Sequence, residues 1–116
     1  MAFAQYIRTR REALRAADKR YSLRQVAQRI GVQPAYLSRI ETGDFAPPSE
    51  EKIRRLAEEL DEDCDVLLAM AGKVSKDLQA IIRARPALFA ELIRALKSAP
   101  DEQVRTLARE IRDGEW

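Results

Sequence analysis

Two short helical runs meeting at a single glycine, within SLRQVAQRIGVQPAYLSRIETG (Ser22 to Gly43), constrain this chain more than any other stretch. Ser22 precedes the first run and Gln25 stands three residues on, the spacing of a reciprocal capping box. Val26, Ala27 and Ile30 then fall on one helical face, and Gly31 sits where a left-handed residue closes a helix without a Cβ penalty. The spacing predicts a helix of only about two turns. Beyond Val32, Gln33 is placed to cap a second helix whose first position, Pro34, does not need its missing N–H. Leu37 and Ile40 face inward there, Ala35, Tyr36, Ser38 and Arg39 face elsewhere, and Gly43 ends the run. Ala27 is small enough for two helices to cross closely over it.

The flanking sequence supplies a core for this unit. A first helix is predicted from about Phe3 to Ala17, with Phe3, Ile7, Leu14 and Tyr6 as its apolar stripe, and Asp18 to Tyr21 as a connection. After a loop rich in Gly and Pro, Ser49 caps a fourth helix with Ile53, Leu56, Ala57 and Leu60 on its core face, and Glu50 and Glu51 complement its dipole. A fifth, from about Asp63 to Ala71, presents Val66, Leu67 and Met70, and Gly72 stops it. The spacing thus predicts an all-α chain with a five-helix domain over residues 1–72. Residues 73–116 form a helical extension in three pieces, opened by Ser75, Pro86 and Pro100.

Along Ser22, Val26-Ala27, Ile30-Gly31-Val32, Leu37-Ser38, Ile40-Glu41, Gly43, Pro48 and Leu56-Ala57, the chain resembles the lambda-repressor-like (Cro/cI-type, XRE) helix-turn-helix regulators, over roughly residues 3 to 70. The resemblance implies a sequence-specific transcriptional regulator, a repressor that binds double-stranded DNA at an inverted-repeat operator as a homodimer. It places the second motif helix in the major groove and the first across the backbone. Base contacts would come from Gln33, Ala35, Tyr36 and Arg39, with Arg39 suited to guanine and Gln33 to adenine, each such pair discriminating by about 1–3 kcal/mol. For Arg39 the alternative is a phosphate, and for Tyr36 a place in the core. Ser22, Arg24 and Ser38 are the candidates for phosphate contacts. In this family an arginine of the first helix commonly pairs with the glutamate that here is Glu41, which makes Arg11 and Glu41 a structural ion pair. Leu23 departs from the pattern, standing where many members carry a glutamine that reaches toward DNA. Pro34 departs too, at a position where some relatives place a polar base reader.

Charge follows the same division. Residues 1–40 hold nine Lys/Arg against two acids, a net of +7, whereas residues 41–116 hold twelve against seventeen, a net of −5. A basic front is what a phosphate-facing surface requires. With no histidine and with Cys64 as the single cysteine, an intrachain disulfide, a His/Cys metal cluster and a histidine general base are all excluded. Cys64 reads as packing, its thiol pKa raised by the surrounding Asp61, Glu62, Asp63 and Asp65. Those acids resemble a nuclease site in composition alone, and capping and solvation account for them. We therefore expect no catalytic residues, no metal, no cofactor and no enzyme activity. The opening segment has no long apolar stretch for a signal peptide or a membrane span, so a cytoplasmic protein without membrane contact is expected.

The extension carries apolar stripes, Leu78, Ile81 and Ile82, then Leu88, Phe89, Leu92, Ile93 and Leu96, then Val104, Leu107, Ala108 and Ile111. Three helices of this length cannot bury all of them internally. Leu88, Phe89, Leu92 and Ile93 are the candidate interface, for dimerisation in preference to packing within one chain. A different protein partner is the alternative, with the chain then an antitoxin or adaptor that uses DNA binding for autoregulation.

Overall fold

The computed structural model describes residues 2–114, which divide into a unit ending at Ser75 and a second beginning at Lys76. The first unit holds α1 (Ala2–Ala17), a 3-10 turn (Lys19–Tyr21), α2 (Leu23–Ile30), α3 (Pro34–Thr42), α4 (Glu50–Leu60) and α5 (Cys64–Met70). The second holds α6 (Lys76–Ala84), α7 (Pro86–Leu96) and α8 (Asp101–Asp113), and no strand occurs among the described residues. The fold is all-α.

Local chemistry sets most boundaries of the first unit. Asp18 accepts from the Arg20 backbone N–H and organises the 3-10 turn, so the stretch read from sequence as a plain connection is a structured corner. Ser22 Oγ accepts from the Gln25 N–H at 3.2 Å, but the reciprocal half of the capping box does not form. The Ser22 N–H is already donated to the Lys19 carbonyl within that corner, so Gln25 has no donor to satisfy. Gly31 closes α2 at φ 78°, and Gly43 closes α3 at φ 84°, both in the left-handed region that favours glycine. Ser49 and Asp63 cap α4 and α5 through their side-chain oxygens.

The core forms where these helices meet. Phe3 and Ile7 of α1, Val26, Ala27 and Ile30 of α2, and Leu37 and Ile40 of α3 close over Ile53, Leu56 and Leu60 of α4. Each of these side chains larger than that of Ala27 stabilises the fold by about 1.5–3 kcal/mol when taken out of water. Tyr6 and Leu14 pack at the edge of this core, half-buried. On α5 the inward residues are Leu67 and Leu68, whereas Val66, expected to face the core, is exposed. The helix is only seven residues long, so its buried stripe is narrow and Val66 falls outside it.

The second unit has no such interior. None of the described residues of α6, α7 or α8 is buried, and Leu88, Leu92 and Ile93 are exposed, while Phe89 is half-covered. Cavity-lining residues such as Leu92, Leu96 and Leu107 bound an open groove between α7 and α8.

Candidate nucleic-acid interface

The outward face of α3 follows from the two residues that must point inward. With Leu37 and Ile40 fully buried, helical geometry leaves Ala35 and Arg39 exposed and turns Tyr36 and Ser38 to the flanks, half-buried. Gln33 occupies the N-cap position of α3 in extended conformation, yet its side chain makes no capping bond, contrary to the role expected for it. Glutamine is one methylene longer than the asparagine that caps well, and its amide is left exposed at the start of the helix. Arg24, Gln28, Gly31, Val32, Gln33 and Pro34 line one open cleft across the turn, which brings Arg24 and Gln33 to the same place. Ser38 is not part of it; it lies in a separate recess with Arg8, Arg11, Leu23 and Thr42.

The turn is held from behind. Lys52 of α4 donates from Nζ to the carbonyls of Ile30 at 3.2 Å and Gly31 at 3.4 Å, which satisfies the C-terminal end of α2 with a cation. Val32 returns its N–H to the Ala27 carbonyl at 2.9 Å. From the other side α1 grips α3: Arg11 donates from Nε and Nη2 to the two Glu41 carboxylate oxygens at 2.7 and 2.8 Å, and from Nη1 to the Tyr21 carbonyl at 3.2 Å. Both side chains are about nineteen-twentieths buried, at 6% and 5% exposure. The Glu41 hydrogen bonds hold the Arg11 guanidinium pKa above its ordinary value against the opposing effect of burial. Leu23 packs half-buried against the core, where it anchors α2.

The basic front is largely neutralised by the protein itself. Arg8 pairs with Glu12, Arg10 with Glu62, Arg11 with Glu41, Arg20 with Asp18 and Arg29 with Glu59. Among the described residues no carboxylate pairs with the other four cations of residues 1–40, namely Arg15, Lys19, Arg24 and Arg39. Arg20, at the start of the motif, is committed to Asp18, whose carboxyl pKa its guanidinium and backbone N–H together lower. Ser22 also has a local duty as the α2 cap, though its hydroxyl proton remains available to an acceptor.

Sequence reasoning missed Phe45. Its N–H donates to the Arg39 carbonyl at 3.1 Å, its ring centroid lies 5.7 Å from that of Tyr36, and the Arg39 Cζ stands 5.5 Å from it. A loop phenylalanine has no periodicity to reveal it; only the αL turn at Gly43 folds it back on α3. At Cys64 the thiol pKa is raised, and burial is the largest cause, ahead of the neighbouring acids.

Among the described residues no group of His, Cys, Asp and Glu could hold a metal ion, and no helix is long and apolar enough to cross a membrane. No curated protein and no solved structure matches the chain. The model of the helix-turn-helix domain family matches residues 2–70, well over half of the 116, and spans α1 to α5. By that match, and by a turn glycine flanked by two short helices over a shared core, the chain belongs to the helix-turn-helix domain family of DNA-binding modules.

Proposed function

We propose that the chain is a sequence-specific transcriptional regulator of the lambda-repressor-like (XRE) kind, which represses by occupying an inverted-repeat operator as a homodimer. The observation that carries this reading is the outward face of α3, where Gln33, Ala35 and Arg39 are exposed beside Arg24, with α3 held by the Arg11–Glu41 pair and the preceding turn held by Lys52. In the major groove, Arg39 and Gln33 would read base edges and Tyr36 and Ala35 would meet thymine methyls, while Arg24, Ser22 and Ser38 would contact phosphates. One motif spans only a few base pairs, so two copies on half-sites about one turn apart are needed for useful affinity. The exposed Leu88, Leu92 and Ile93 and the half-covered Phe89 of α7 supply an apolar face for that pairing. The role is one of binding, in the cytoplasm, with no catalytic step and no cofactor.

Selection of bound fragments from random duplex DNA tests this directly, with wild type, Arg39→Ala and Arg24→Ala in parallel. Enrichment of an inverted repeat is expected, with Arg39→Ala blurring one base position in each half-site. Arg24→Ala should weaken all sequences alike and flatten the salt dependence by about one unit of slope per protomer. A folded wild-type protein that enriches no sequence would overturn the reading.

A further inference from the structure

The loop after α3 places an aromatic ring where the fold does not require one. Phe45 is 41% exposed and lies outside the core cluster, yet it is not loosely held. The left-handed turn at Gly43, the Phe45 N–H on the Arg39 carbonyl and the Thr42 hydroxyl on that same carbonyl at 3.1 Å fix the loop against the last turns of α3. The ring then touches two side chains of the outward face, Tyr36 and Arg39, the first tilted at 49° to it. Arg39 has no ion pair and no side-chain hydrogen bond among the described residues, so the ring is the contact that restrains it. A guanidinium attracted to an aromatic face uses its own flat surface there and keeps its in-plane N–H groups free. Those are the groups that match O6 and N7 of guanine. Holding the side chain beforehand also lessens the ordering that binding must impose.

We infer that Phe45 is a specificity-determining positioning residue: an aromatic shelf, backed by Tyr36, that holds the Arg39 guanidinium ready for a guanine edge in duplex DNA. The inference rests on the DNA-binding reading above. The shelf acts on base preference through Arg39, not on the duplex as a whole.

The test uses the full chain, the duplex that wild type selects, and copies of it altered at the base whose preference Arg39→Ala abolishes. Phe45→Leu keeps the apolar bulk without the π face, and Phe45→Trp keeps the face. Phe45→Leu is expected to reduce discrimination at that base by about two- to five-fold, the range that an exposed cation–π contact supports, with an unchanged melting temperature. Phe45→Trp should retain discrimination, and in an Arg39→Ala background Phe45→Leu should change nothing further. Undiminished discrimination in Phe45→Leu would overturn the assignment, as would an equal loss on every duplex or the same loss in the absence of Arg39. An Arg39→Ala protein that changes no base preference overturns it too, since Arg39 would then be a phosphate contact. A wild type that selects no duplex overturns the DNA reading itself, and the shelf with it. That outcome is distinct from one in which DNA is read and Phe45 is idle.

Discussion

The two units of this chain are built from similar helices and reach opposite ends. In the first, α1 to α5 bury Phe3, Ile7, Leu37, Ile53 and Leu56 almost completely and seat a buried ion pair between α1 and α3. In the second, α6 to α8 carry stripes just as apolar, and not one of their described residues is buried. Amphipathic periodicity is therefore sufficient to form a helix and insufficient to form a core. A core needs helices that meet at an angle set by small residues and fixed turns, which Ala27, Gly31 and Gly43 provide. In the second unit a proline opens α7 and another caps α8, and the apolar faces of its helices stay exposed.

Substitutions chosen in the two units sharpen that contrast. Glu41→Ala should have the largest effect, about 3–5 kcal/mol in urea unfolding, because it leaves the Arg11 guanidinium buried without its carboxylate. In the second unit, removing Asp113 from its exposed pair with Arg112 should produce no measurable change. Leu56→Ala should follow, at about 2–5 kcal/mol, from lost burial and the cavity it leaves. Leu88→Ala, at 64% exposure, should stay within about 0.5 kcal/mol in a protomer unfolded at low concentration. A Leu88→Ala loss as large as that of Leu56→Ala would break the comparison and show the α7 face covered in solution. Gly31→Ala should cost about 1–2 kcal/mol, since φ 78° is strained for any L side chain and the new Cβ would stand 3.2 Å from Lys52 Nζ.

An effect confined to alkaline pH concerns Tyr6, whose hydroxyl donates to Glu62 at 2.8 Å. The Glu62 hydrogen bond, with burial, raises the phenol pKa above its ordinary 10.0. A pKa raised by folding gives a stabilisation fully present below the unfolded value and lost as pH climbs through the folded one. Tyr6→Phe should therefore lessen the alkaline fall in stability, read by denaturant unfolding across the tyrosine titration range. An unchanged alkaline limb would show that the phenol does not sense Glu62.

Most of the first unit was legible because its signals are local. Ser22, Gly31, Pro34, Gly43 and Ser49 act within a few residues of themselves, and all five stand at helix ends. The details that escaped depend on partners far along the chain or on competition for one group. The Ser22 N–H went to Lys19 instead of Gln25, Lys52 reached back to the turn, and Arg10 met Glu62 across fifty-two positions of sequence. On the candidate site, the exposure of Gln33, Ala35 and Arg39 follows from helical period alone. The environment of Arg39 does not, because Phe45 belongs to a loop.

The self-pairing of the basic front bears on how this molecule would respond to its ionic surroundings. Nine cations over residues 1–40 suggest a polyelectrolyte, but five of them already lie against the protein's own carboxylates, which competes with their use by a bound phosphodiester. If the remaining four set the front's share of ion release, the logarithm of affinity falls with the logarithm of salt at a slope of only about −3 to −4 per protomer, against about −8 for all nine. For two protomers on one operator that slope doubles to about −7, against about −16 for all the cations, so affinity still falls steeply with salt, but far less steeply than the count of basic residues implies.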